Sequence, residues 1–455
     1  MAQQAKRQKL TEGVVSKRLA GLAIPMMIGL FALISLGVVD TYFVSQLGTA
    51  PLAAMSFAFP ITFIITSAAV GLGVGTATAV ARHYGADETR QVQRLVRDGL
   101  LLASLFSAIL LLFGYSTLDW VFVKLGAEEE LLGLIKDYMR IWYLGTPLTV
   151  DGLIGLTVMR ATGDSVTPSI FMSLAAILNM VLDPILIFGM FGLPRMELQG
   201  AAVATVVSSL FSFCGSLYLV GLRDKLVAWR WPTFARLGKS WRAILHVGLP
   251  SAATNLVNPI CNAILVKFIS AFGATAVAGF GVAARFEALA LIACLALSAC
   301  IGPFVGQNFG ARRYDRMRDA MRISIAFCLF YGAGMAILLA LFRSQIAQWF
   351  GADETTIPVV MLYFIIVPIS YGANGIIMIV GAAYNALTQP RVNMLLYISK
   401  TFLLTIPLAW LGGQYFGLQG IFGAVAAGNL LVGFAAYWWF QRSFPQPASE
   451  ALAAS

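Results

Sequence analysis

Runs of about 20 predominantly apolar residues recur almost end to end along this chain of 455 residues, separated by short stretches that hold charge, glycine or proline. A helix of that length covers a hydrocarbon core of roughly 30 Å and satisfies its backbone hydrogen bonds within one segment, as lipid demands. A transmembrane barrel would show weak alternating segments of about 10 residues instead. Composition agrees with the helical reading: 59% of residues are hydrophobic and 11% charged, against roughly 45–50% and 25% in soluble domains. Twelve spans are predicted, beginning near residues 19, 51, 96, 131, 168, 199, 243, 275, 320, 357, 393 and 418. The expected fold class is an all-α integral membrane protein with 12 transmembrane helices.

The net charge of +10 does not point to nucleic acid, because the basic residues lie scattered in short loops between spans. Lys6, Arg7, Lys9, Lys17 and Arg18 precede the first span, and Arg82, Arg90, Arg94 and Arg97 mark the second loop. The sixth and eighth loops are also basic, whereas odd-numbered loops are nearly devoid of Lys and Arg. By the positive-inside rule both termini are expected on the cytoplasmic side of a bacterial inner membrane. The first apolar run continues as a full span and shows no small-residue cleavage site, so no leader is expected.

No loop is long enough for a catalytic domain, and neither a convergent catalytic set nor a phosphate-binding Gly-Lys-Ser/Thr loop is present. The chain is therefore read as no enzyme, and its energy source as an ion gradient. Cys214, Cys261, Cys294, Cys300 and Cys328 lie inside apolar stretches without metal or disulfide spacing. His83 and His246 have no ligand partner at helical spacing. No metal site and no cofactor are expected.

The two halves resemble each other at an offset of about 225 residues. Pro25 matches Pro250, Ser45 matches Ser270, Gly48 matches Gly273, Gly85-Ala86 matches Gly310-Ala311, and Gly126-Ala127 matches Gly351-Ala352. Slightly shifted, Pro168 matches Pro390, and Leu198-Gln199-Gly200 recurs at Leu418-Gln419-Gly420. An even number of spans per copy gives both the same orientation, so two six-helix lobes related by a pseudo-two-fold axis along the membrane normal are expected. The predicted organisation is a basic arm at 1–18, a first lobe at 19–221, a linker at 222–242, a second lobe at 243–441 and a disordered tail at 442–455. Parallel repeats with a site at their interface suit alternating access. A cavity enclosed by one chain needs no oligomer, so a monomer in the lipid bilayer is expected.

Charged side chains within a span cost at least ~2.5–3.5 kcal/mol on insertion scales and therefore mark polar cavities. Asp40 lies about twenty residues into the first span and Asp183 in the later half of the fifth. Asn179 and Asp183, four residues apart, share a helix face. Thr205 follows the small-residue patch Gly200-Ala201-Ala202 on the sixth span, where close helix approach is possible. Asp40, Asn179, Asp183 and Thr205 form the principal candidate site, for a shared proton or for Na⁺, since oxygen ligands suit hard cations. Pro25 on the first span removes a backbone hydrogen bond and is the candidate hinge. Tyr138, Asp151, Met26, Met172 and Met180 are candidates for a substrate cavity. In the second half the polar candidates are Asn255, Asn258, Arg285, Glu287, Asn374 and Lys400.

The loop Arg82-His83-Tyr84-Gly85-Ala86-Asp87-Glu88 and its repeat Gly306-Gln307-Asn308-Phe309-Gly310-Ala311-Arg312-Arg313-Tyr314 differ from the Gly-, Asp- and Arg-rich loop of the major facilitator superfamily. Together with Tyr138-Met139-Arg140-Ile141, Met159-Arg160-Ala161-Thr162-Gly163-Asp164 before Pro168, Leu178-Asn179-Met180-Val181-Leu182-Asp183-Pro184 and Leu198-Gln199-Gly200-Ala201-Ala202, they resemble the multidrug and toxic compound extrusion (MATE) family over residues 16 to 440. Asp40 within Val38-Val39-Asp40-Thr41, with Asn255, Asn258 and Asn262 in place of a seventh-span acid, is similar to the DinF-like branch. The resemblance implies that Asp40, Asn179, Asp183 and Thr205 form a polar cluster of the first lobe and that the first helix bends during coupling. It also implies a secondary antiporter that exports small amphipathic cationic drugs or toxins in exchange for H⁺ or Na⁺. A flippase for lipid-linked precursors is the alternative, disfavoured because only Lys267, Arg285 and Lys400 supply positive charge within the spans.

Overall fold

The computed structural model describes residues 9–227, 234–349 and 355–444, all helical or in short connections. The helices are α1 (Val15–Ser45), α2 (Thr49–Gly85), α3 (Thr89–Lys124), α4 (Glu129–Ala161), α5 (Val166–Phe188) and α6 (Glu197–Leu217), the last prolonged by a π-turn at Tyr218–Arg223. There follow α7 (Phe234–Ser270), α8 (Ala274–Ala290), α9 (Ile292–Gly310), α10 (Tyr314–Trp349), α11 (Ile357–Ile366), α12 (Tyr371–Ala386), α13 (Pro390–Ile398) and α14 (Ile406–Ser443).

Eleven helical stretches are long and apolar enough to cross a membrane. The last runs over 54 residues from Pro390 to Ser443, about 80 Å of helix and far more than one crossing needs. Gly417, at φ 61° and ψ −141°, breaks it into two arms, which restores the twelve spans read from the sequence. Interrupted spans also occur at Leu291 between α8 and α9 and at the 3₁₀ turn Val367–Ser370 between α11 and α12.

Helices extend beyond the apolar runs that announce them. α1 starts at Val15, inside the predicted arm, and α7 starts at Phe234, inside the predicted linker. α14 ends at Ser443. The remainder of the tail, from 445, lies outside the described residues, as do 1–8 of the arm, 228–233 of the linker and the Gly351-Ala352 match.

The duplication is written in the backbone. Left-handed φ values occur in four pairs of positions 225 residues apart: Gly48 and Gly273 (115° and 101°), Asp87 and Arg312 (61° and 57°), Gly163 and Thr388 (95° and 59°), and Gly192 and Gly417 (84° and 61°).

The chain divides into two compact units, one holding Ile24–Ala252 and the other Leu10–Ala23 with the chain from Ala253 onward. α1 changes unit between Ala23 and Ile24, one residue short of Pro25, and α7 two residues after Pro250, the repeat partner of Pro25. In the first unit α4 is the most deeply buried span, packed against α2, α3 and α6. Tyr138, Met139, Trp142 and Tyr143 of α4 enter a core with Val44, Phe122, Ile187, Ala201 and Ala202. The second unit buries α11 and α12 in the same manner, with Tyr363, Phe364 and Tyr371 among Phe280, Leu339 and Phe422.

Lipid gives no hydrophobic force to press helices together, so small residues that let backbones approach carry the association. A Cβ at Gly155 of α4 would lie 2.6 Å from the Ser216 side chain of α6, and one at Gly200 would lie 2.7 Å from the Leu186 backbone of α5. Gly200→Val is expected to destabilise the first unit by about 1–3 kcal/mol through overpacking. Thermal unfolding of the detergent-purified variant measures this, and an unchanged midpoint would contradict so close an approach of α5 and α6.

Candidate functional site

In the first unit four helices bring polar side chains into one buried cluster. α5 supplies Asn179 and Asp183, 2% and 0% exposed, on the face that their spacing predicts. α6 supplies Thr205, and the Asn179 Nδ2 donates to Thr205 Oγ1 and to Ser208 Oγ, each at 3.4 Å. Those hydroxyls in turn donate to the carbonyls of Ala201 and Thr205, both at 3.0 Å. Asp40 of α1 and Asp183 lie within electrostatic reach of each other and of the buried Tyr138 of α4. Pro184 has no N–H to give the Met180 carbonyl, which leaves a further oxygen without its helical partner beside Asn179.

Three carboxylate oxygens in this cluster, Asp40 Oδ1 and both of Asp183, are buried without a hydrogen-bond partner. A buried, unpaired anion costs several kcal/mol. A proton or a hard cation at the carboxylates is chemistry that would remove this cost.

The cavity candidates separate. Tyr138 belongs to the cluster. Met180, half-buried, follows Asn179 directly on α5. Met26 and Met172, expected near the cluster, instead lie beside the Arg160 guanidinium, whose Nη1 approaches their sulfurs at 3.5 and 3.8 Å while Nη2 donates to Thr157 Oγ1 at 2.7 Å. Met26 is fourteen residues before Asp40 on the same helix, about 21 Å along its axis. Asp151 is thirteen residues beyond Tyr138 on α4, about 20 Å away, and accepts a hydrogen bond from Ser104 Oγ at 3.0 Å.

The second unit holds its own cluster. Lys400, in the π-turn Ser399–Thr405, donates to Asn374 Oδ1 of α12 at 3.0 Å. Glu287 of α8 accepts a hydrogen bond from the Tyr363 hydroxyl of α11 and lies within electrostatic reach of Lys400, Tyr371 and Cys261. Three of the six second-half candidates are thus brought together. Asn255 is half-buried and makes no hydrogen bond to this cluster, and Asn258 and Arg285 are exposed.

Ser208, Tyr363 and Tyr371 escaped the sequence reading. Ser208 lies one turn beyond Thr205, and Tyr363 stands 225 residues after Tyr138, so the repeat register carried the signal for it.

Two six-helix repeats with charged clusters buried inside apolar units define a polytopic membrane transporter. The MatE family model matches residues 25–185 and 250–411, and the chain belongs to that family. It is 37% identical over 436 residues to the FAD transporter of Shewanella oneidensis, with 96% of each chain covered. It is 25% identical over 411 residues to the probable multidrug resistance protein YoeA of Bacillus subtilis, covering 87% of this chain and 88% of that one. Among solved structures, the Vibrio cholerae MATE transporter VcmN in the bent form matches with a TM-score of 0.89 at 29% identity, over 96% of this chain and 98% of that one.

Because Asp183 is buried without a partner, Asp183→Asn is expected to raise the unfolding midpoint of the purified protein by the equivalent of about 1–3 kcal/mol. A drop would show that the carboxylate is balanced by a tightly held counter-charge.

Proposed function

We propose that this chain is a secondary active exporter in which H⁺ or Na⁺ entering the Asp40–Asp183 cluster drives the outward passage of an amphipathic organic substrate by alternating access. The observation that carries this reading is the set of three unpartnered carboxylate oxygens in one buried cluster. With the ion bound, the two anions are neutralised; without it, the cluster is costly to keep dry. A conformation that closes over the cluster is thereby favoured when loaded and disfavoured when empty, which is the differential affinity that a ligand needs to shift a conformational equilibrium. Asp40 lies on the helix that contains Pro25, where the missing hydrogen bond to the Gly21 carbonyl makes bending cheap. Bending of α1 is the proposed coupling step, in a bacterial inner membrane with both termini cytoplasmic.

For the substrate, the 37% identity to a protein named as an FAD transporter favours a flat aromatic ring joined to an anionic diphosphate. Amphipathic organic cations, the class expected from the sequence, are the second reading, favoured by relatives named as multidrug resistance proteins. Membership of the MATE family favours export over the flippase alternative.

The test is reconstitution in liposomes with a pH or Na⁺ gradient imposed separately, following FAD and ethidium. FAD is expected to move under one gradient, and Asp40→Asn to reduce its flux at least tenfold. Movement of ethidium but not FAD would replace the flavin reading with the cationic one. Undiminished flux in Asp40→Asn would remove the coupling role of the cluster, and undiminished flux in Pro25→Ala would remove the bend.

A further inference from the structure

The two units carry the same tyrosine in different charge settings. Tyr138 lies within electrostatic reach of two carboxylates, whereas Tyr363, its repeat partner, donates to one carboxylate that itself lies within reach of an ammonium. A site with two acids calls for a positive ligand. The site in the second unit has the opposite need, because its ammonium gives only one hydrogen bond, to Asn374.

An ammonium carries three N–H donors; Lys400 gives one to Asn374, and its Nζ also stands 5.8 Å from the centroid of the Tyr397 ring, a cation–π contact that uses the charge without accepting a conventional hydrogen bond. Its natural counter-charge, Glu287, is engaged by the Tyr363 hydroxyl, and no Lys400–Glu287 ion pair forms among the described residues. The Tyr371 hydroxyl, close to Glu287, is fully buried and has no hydrogen-bond partner. Ammonium donors without a hydrogen-bond acceptor and the unpartnered, buried Tyr371 hydroxyl thus lie within electrostatic reach of one half-buried carboxylate. Intramembrane cations of this kind are expensive and mark functional sites.

The helices that supply these groups are broken beside them. Glu287 stands four residues before the interruption at Leu291, Asn374 stands four after the 3₁₀ turn ending at Ser370, and Lys400 lies inside a π-turn. Discontinuous spans form the substrate sites of many transporters, and single π-turns concentrate at functional positions.

We propose that Lys400, Asn374 and Tyr371 form an anion site in the second unit that takes the diphosphate of a dinucleotide-type substrate, with Glu287 as the counter-charge that the substrate replaces. The inference rests on the flavin reading of the substrate. In the empty site Glu287 balances Lys400 from a distance. An entering phosphate oxygen accepts directly from Nζ and from the Tyr371 hydroxyl, and charge-assisted contacts of this type are the strong ones. Removal of Glu287's charge strengthens the site, and removal of Lys400's charge abolishes it.

The experiment is ligand-induced thermal stabilisation of the detergent-purified full chain without any gradient, using FAD, riboflavin, ethidium and inorganic pyrophosphate as probes. For the wild type, FAD and pyrophosphate are expected to stabilise. Lys400→Gln is expected to weaken both by about tenfold or more while responses to riboflavin and ethidium, which lack phosphate, are unchanged. Lys400→Arg is expected to retain the FAD response, and Glu287→Gln to bind FAD and pyrophosphate more tightly. Wild-type affinity for FAD in Lys400→Gln overturns the proposal, as does weaker FAD binding in Glu287→Gln, which remains decisive if the lysine variant fails to fold. FAD binding that is indifferent to Lys400, accompanied by FAD transport in liposomes, removes this site and leaves the flavin reading standing. The absence of both FAD binding and FAD transport in the wild type removes the two together.

Discussion

A helix bundle in lipid is held by how closely its members can approach, since hydrocarbon solvates an apolar surface as well as a neighbouring helix does. In this chain the approach depends on missing side chains. Gly155 and Gly200 place backbone or short side chains within what would be the volume of a Cβ, and so draw α4, α5 and α6 together. α4 can then be buried along most of its length, and polar residues on the surrounding helices are forced toward one another, because lipid offers them no partner.

From that packing the chemistry follows. Asp183, Asn179 and Thr205 meet because α5 and α6 touch closely at Gly200, and Tyr138 meets them because α4 occupies the centre. The second unit repeats the plan with α11 and α12 in the central place and Tyr363 in the position of Tyr138. What differs is the charge placed near the shared tyrosine, so a single architecture furnishes one cluster with two carboxylates and another in which a carboxylate and an ammonium occur together.

Much of this was legible in the sequence. Apolar run length gave the spans, and the starts expected near 393 and 418 are the two crossings that Gly417 divides within one long helical stretch. The face shared by Asn179 and Asp183 followed from their spacing, and the small-residue patch at Gly200 from composition. What spacing reports, however, is which residues share a face, and not what stands opposite. Met26 and Met172 share helices with the acids, yet both sulfurs lie beside Arg160, whole turns away. Arg285 and Glu287 were equally polar in the sequence, and only packing against Tyr363 draws one inside while the other stays exposed. Helix ends were missed because a polar sequence at the margin of an apolar run can continue the helix, as at Val15 and Phe234.

Two of the four left-handed pairs, Asp87 with Arg312 and Gly163 with Thr388, record something that residue identity has lost. At Gly163 the conformation is free of strain, whereas at Thr388 a β-branched side chain holds the same pose at a cost of about 1–2 kcal/mol. A relaxed backbone would have been the easier outcome of drift. Its persistence indicates that the direction in which a chain leaves one helix and enters the next has been harder to change than the residue that makes the turn. In this molecule ancestry survives as angles, and at these two pairs the halves are aligned by torsion where spelling no longer aligns them.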